Sequence, residues 1–83
     1  MTEAEIRKAI FEILHRTAPE ADLNSLSPDQ NLREALDIDS FDFLNVLVAV
    51  NEKFHVNIPE SDYRQVLTLK GMVEYLAVRK KSA

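Results

Sequence analysis

A chain of 83 residues suits one domain, residues 1–83, and so small a domain buries only roughly 60% of the surface that its unfolded chain exposes, so a compact core must come from the 46% of residues that are apolar. The absence of cysteine excludes disulfides, thiolate metal sites and a cysteine nucleophile, and any thiol chemistry has to be imported. Ten Lys and Arg against fourteen Asp and Glu leave a net charge of −4, which argues against a nucleic-acid footprint and favours basic protein partners.

Residues 1–8 alternate charged and apolar side chains without the apolar stretch of a secretory signal. The longest apolar run, 46–50, is far too short to span a membrane. The expectation is a cytoplasmic, monomeric protein. Its shortness and its Lys80-Lys81-Ser82-Ala83 ending suit a freestanding chain.

Thr2 and Glu5 have the spacing of a capping box, and Ile6, Ile10, Ile13, Leu14 and Thr17 recur at the helical period, which predicts a helix from Glu3 to about Thr17, before Pro19. Residues 18–38 are rich in Asp, Asn, Ser and Pro, with Leu23, Leu26, Leu32 and Leu36 spaced along them, and read as a long ordered loop pinned to the core. Asp39 and Ser40 are both suited to capping a second helix, and residues 41–54 contain neither Gly nor Pro. At about 100° per residue, Phe41, Phe43, Leu44, Leu47, Val48, Val50 and Phe54 fall on one wide half, expected to be core. The other half, with Asp42, Asn45, Val46, Ala49, Glu52 and Lys53, is expected to face outward for docking. An extended stretch at 55–58 leads through Pro59 into a short helix over 60–64. Thr68 then caps a last helix whose Leu69, Met72, Val73 and Leu76 follow the i, i+3, i+4, i+7 rule, with Arg79, Lys80 and Lys81 at its negative end. The fold expected is all-α: a four-helix bundle with three longer helices, one short helix and a long first loop.

The segment Leu36-Asp37-Ile38-Asp39-Ser40-Phe41-Asp42 puts a serine at a helix start with acids on both sides. A phosphate ester there would gain on the order of 0.3–1 kcal/mol from the helix dipole, while Asp39 and Asp42 would repel it. The two carboxylates are therefore better suited to meeting a basic partner than to clamping phosphate. By itself, Asp-Ser at a helix start is an ordinary cap.

In its context the segment resembles the acyl carrier family, whose modified serine sits in an Asp-Ser-Leu or Asp-Ser-Met triplet opening the second helix after a long loop. Asn31-Leu32-Arg33-Glu34-Ala35-Leu36 looks like the family's approach to that serine. Phe54-His55-Val56-Asn57-Ile58-Pro59 looks like the exit of its second helix, and Thr68-Leu69-Lys70-Gly71-Met72-Val73-Glu74-Tyr75-Leu76 like its last helix. The resemblance implies that Ser40 carries 4'-phosphopantetheine, taken from coenzyme A through a phosphopantetheinyl transferase, and that the arm's thiol holds acyl groups as thioesters. It further implies a carrier that catalyses nothing itself and serves an acyl ligase, condensing or other acyl-processing enzyme in fatty-acid, polyketide or related lipid synthesis. Asp39, Phe41, Asp42, Asn45, Val46, Ala49 and Glu52 are the expected recognition residues, and Leu44, Val48 and Ile58 the expected shelter for the acyl chain. Phe41 stands where the family has Leu or Met, Asp37 where it often has Gly, and Asn45 and Asn51 where fatty-acid carriers tend to have glutamates. These departures point to a specialised carrier.

Other readings fare worse. A hydrolase would need Ser40 activated by His15 or His55, and the chain lacks a Gly-rich oxyanion turn. Asp37, Asp39 and Asp42 lack the Gly and distal Glu of a calcium loop, so no metal site is expected. A DNA-reading helix would need a basic face, and the candidate recognition helix carries one Lys and no Arg. An unmodified helical interaction module, with Ser40 merely a cap, is the stronger rival, and peptidyl or D-alanyl carriers share the same serine and bundle.

Overall fold

The computed structural model describes residues 2–81, apart from the side chain of Lys81. Helix α1 is Glu3–Thr17. Its capping box is complete: the Glu5 N–H donates to Thr2 Oγ1 at 3.2 Å and the Thr2 N–H donates to Glu5 Oε1 at 3.0 Å. Ile6, Ala9, Ile10, Ile13 and Leu14 form its buried stripe, with Thr17 half-buried as the turn unwinds.

The long connection is more structured than its composition suggests. Asp22 caps a 3₁₀ turn, Leu23–Ser25, by accepting the Asn24 N–H at 3.1 Å and the Ser25 hydroxyl at 2.7 Å. Leu23 and Leu26 pack half-buried against the core. A short helix, α2, Leu32–Leu36, then forms where only loop was expected. Asn31 starts it by accepting the N–H groups of Arg33 and Glu34, and Leu32 and Leu36, one turn apart, are its buried anchors. The connection is stitched to the start of the last helix by a single antiparallel bridge between Asn31 and Thr68, with Leu32 N–H donating to Leu67 O at 2.8 Å and Lys70 N–H to Pro28 O at 2.9 Å.

Helix α3 is Ser40–Phe54, closed by His55 in the left-handed region at φ 56° rather than by an extended residue. A 3₁₀ helix, Glu60–Val66, occupies and outruns the expected short helix. The last helix, α4, is Leu69–Lys81. Thr68 Oγ1 accepts the Gly71 N–H at 3.0 Å at its start. A side chain at Gly71 would run into the backbone carbonyl of Gln65, so α4 meets the 3₁₀ helix at a point where only glycine fits. Helix α1 packs on α3 and α4, and α4 packs on the 3₁₀ helix. One apolar cluster, from Ile6 and Ile10 through Leu47, Val50 and Phe54 to Met72 and Leu76, lies between them.

The rotation of α3 corrects the expected helix faces. Its buried residues are Phe43, Val46, Leu47, Val50 and Phe54. Val46, expected to face outward, is 0% exposed, whereas Phe41, Leu44 and Val48, expected in the core, are 72%, 43% and 56% exposed. The helix carries two apolar stripes at helical spacing, 43/46/47/50/54 and 41/44/48. A wheel that merges them into one wide half cannot tell which of the two faces its neighbours. The longer stripe is the one that packs.

Candidate functional site

Ser40 is the first residue of α3, and its side chain is exposed. The capping work is done by the residue before it: Asp39 Oδ1 accepts the Asp42 N–H at 2.8 Å, and Asp39 O accepts the Phe43 N–H at 3.0 Å as the first helical bond. Ser40 is thus not the cap. Its hydroxyl makes no hydrogen bond among the described residues, and it stands in solvent at the positive end of a fifteen-residue helix.

The approach to Ser40 is set by Asp37. It closes α2 in the left-handed region, at φ 53°, with its N–H shared between Arg33 O and Glu34 O. The reversal there lets α3 start afresh after Ile38, which is half-buried against the core. Asp is among the few non-glycine residues that tolerate this conformation, which explains how it replaces glycine at this turn.

Three carboxylates thus gather near the start of α3: Asp37 and Asp39 are exposed, and Asp42 is half-buried, lining a hollow with Ala18, Ala35 and Ile38. Among the described residues no group of His, Asp and Glu is arranged to hold a metal ion. His55 closes the opposite end of α3 from Ser40, about 20 Å away at 1.5 Å per residue, and His15 lines a groove with Phe11 and Leu23. A Ser40–His55 pair is therefore out of reach, and His15 belongs to a different surface feature.

Below Ser40, the exposed stripe of α3 presents Phe41, Leu44 and Val48, one helical turn after another. Asn45 and Asn51 are exposed on the same helix. Of the residues expected to recognise partners, Asp39, Phe41, Asn45 and Glu52 are exposed and Asp42 is half-buried. Ala49 is half-buried and shares a groove with Ala9, Ile13 and Glu52, so this part of the expected strip lies beside α1. Val46 is withdrawn altogether into the core. Of the expected acyl shelter, Ile58 is buried at 7% exposure, while Leu44 and Val48 are on the surface. The outward role of Leu44 and Val48 escaped the sequence reading. The signal for it was the completeness of the competing 43/46/47/50/54 stripe.

Comparison with known proteins agrees with this arrangement. The profile of the family described as the phosphopantetheine attachment site matches residues 4–76, nearly the whole chain. An acyl carrier protein of Acidothermus cellulolyticus is 32% identical over 79 residues, covering 93% of this chain and 90% of that protein. One from Cyanidioschyzon merolae is 29% identical over 82 residues, covering 99% and 89%, and one from Syntrophobacter fumaroxidans is 34% identical over 59 residues, covering 71% and 73%. The chain belongs to the acyl carrier protein family. Proteins of this family are carriers rather than catalysts, and their cofactor is covalently attached 4'-phosphopantetheine. An exposed primary alcohol, unengaged in capping and at a helix mouth, fits that group. No helix among the described residues is long and apolar enough to cross a membrane.

Proposed function

We propose that this chain is a single carrier domain, residues 1–83, that holds phosphopantetheine on Ser40 and presents acyl thioesters to partner enzymes in the cytoplasm. The observation that carries the reading is the division of labour at the start of α3: Asp39 caps the helix, which leaves the Ser40 hydroxyl exposed and without a structural task. The arm supplies the thiol that a chain without cysteine lacks. The protein's own part is to hold the attachment oxygen at a rigid helix end and to offer a docking face beside it, so that a tethered intermediate meets successive enzymes at high effective concentration.

That face is the stripe of Phe41, Leu44 and Val48. Full burial of such side chains is worth roughly 1.5–3 kcal/mol each, enough for three of them to anchor a transient complex. Asp37 and Asp39 supply the negative charge that draws a basic transferase or enzyme toward Ser40. With Asn45 and Asn51 exposed where fatty-acid carriers tend to be acidic, and an aromatic ring beside the serine, the partners are dedicated ones: an acyl ligase, a condensing enzyme or a lipid-modifying enzyme. Turnover by general fatty-acid elongation enzymes equal to that of an ordinary fatty-acid carrier would count against this specialisation.

The attachment itself is tested by incubating the apo-protein with coenzyme A and a broad-specificity phosphopantetheinyl transferase and weighing the intact chain. The expected result is a gain of one phosphopantetheine, absent in Ser40→Ala. No gain with several such transferases, or the same gain in the alanine variant, overturns the assignment and favours an unmodified interaction module.

A further inference from the structure

A groove of about 660 Å³ runs between α1 and the 3₁₀ turn Leu23–Ser25, and no residue of α3 lines it. Its size falls within the roughly 300–1,000 Å³ usual for small-ligand sites. From Ala4 to His15 it follows α1 for about 16 Å at 1.5 Å per residue, so it is a trough that can take an unbranched chain lengthwise. Phe11, Ala21 and Leu23, each half-buried against the core, make its floor apolar.

The charges above this floor are unevenly disposed. Lys8 lines the groove, and Arg7 lays its guanidinium over the Phe11 ring, 5.6 Å from the centroid. Neither cation has a carboxylate within ion-pair distance among the described residues. The two acids that border the groove are placed differently. Asp22 has both carboxylate oxygens engaged, Oδ1 by the Asn24 N–H and Oδ2 by the Ser25 hydroxyl. Glu12 stands on the lip, shared with the separate groove of Ala9, Ile13 and Ala49. An apolar trough is thus overlooked by two cations without an internal partner, in a chain whose net charge is −4. That arrangement complements a ligand with an apolar body and one negative end.

We propose that this groove binds, without covalent attachment, a free carboxylic acid with a single unbranched apolar chain, its tail against Phe11 and Leu23 and its carboxylate at Arg7 and Lys8. Arg7 offers a planar pair of N–H donors that matches a carboxylate, and Lys8 adds a point charge one residue on. Because α3 contributes nothing to the groove, a bound acid leaves Ser40 and the stripe of Phe41, Leu44 and Val48 open. The site does not rest on the carrier reading, and the apo-protein is enough to test it.

Octanoate, kept below its micellar concentration, is titrated into isotopically labelled apo-protein, with octanol and octyltrimethylammonium as probes of the same chain and different charge. Octanoate should shift the Phe11 ring and the Ala21 and Leu23 methyl resonances saturably while Phe41, Leu44 and Val48 stay in place, and the other two probes should bind more weakly. Arg7 and Lys8 are exposed, so Arg7→Gln and Lys8→Gln leave the fold intact. Each should weaken octanoate about twofold to fivefold and leave octanol unchanged. Lys53→Gln removes an exposed cation of α3 and should leave octanoate binding as it is. The absence of saturable shifts at Phe11 and Leu23, equal affinity for the three probes, or an equal loss in Lys53→Gln overturns the proposal.

Discussion

The orientation of α3 can be tested by removing the same two methyl groups from two positions of the helix. Val46 is 0% exposed, and Val46→Ala deletes groups worth about 0.8 kcal/mol each when buried, plus a cavity term, for a loss of about 2 kcal/mol. A domain of this size shifts its Tm by about 4–8 °C per kcal/mol, so the melting point should fall by about 8–16 °C. Val48 is 56% exposed, and there the same deletion removes little packing while replacing a β-branched residue with a better helix former. Val48→Ala should change stability by less than about 0.5 kcal/mol, in either direction. Thermal unfolding followed by far-ultraviolet circular dichroism reads both. A loss at Val48 equal to or larger than that at Val46 would show that α3 faces its neighbours with the other stripe, and the docking face assigned to Phe41, Leu44 and Val48 would go with it.

The charge of Asp39 is separable from its capping bond. Asp39→Asn keeps an acceptor for the Asp42 N–H, so stability should hold while phosphopantetheine transfer slows and its dependence on salt weakens; an unchanged transfer rate at low salt would refute electrostatic steering. Gly71→Ala should destabilise the fold by about 1–3 kcal/mol, read as a lowered urea midpoint, because the added methyl collides with a backbone carbonyl of the 3₁₀ helix rather than with a flexible side chain. Burial, reinforced by the hydrogen bond to Asp62, raises the Tyr75 hydroxyl above the ordinary tyrosine range. The folded protein thus holds that proton more tightly than the unfolded chain, and the stability is complete below about pH 10 and lost as pH climbs through the raised value. Tyr75→Phe should flatten the alkaline decline in urea midpoints, and an equally steep decline would place its cause elsewhere.

Much of this protein is local and could be read from one dimension. The limits of α1, α3 and α4 follow from side chains that cap or break a helix within a few residues, such as Thr2 with Glu5, Asp39 and Thr68, and their expected ends agree with the structure. The serine at the head of α3 was legible for the same reason. Where local signals are short, the sequence says less: α2 has a single turn of apolar support, Leu32 and Leu36, too little to set it apart from the loop around it, though Asn31 marks its start. Nothing in the sequence around His55 demands the left-handed turn that ends α3, so an extended residue is the local expectation there.

Tertiary structure alone decided how α3 is turned. A helix with two apolar stripes has two self-consistent ways to bury one of them, and the choice depends on where α1 and the other elements lie, which no window of neighbouring residues contains. Val46 accordingly went inward and Leu44 and Val48 outward, and the proposed docking face moved with them. The grip of Tyr75 and Arg79 on Asp62 belongs to the same category, since it joins residues thirteen and seventeen positions apart that only the packing of α4 against the 3₁₀ helix brings together. Periodicity sets which residues can share a face; the free energy of packing against distant neighbours sets which face is hidden.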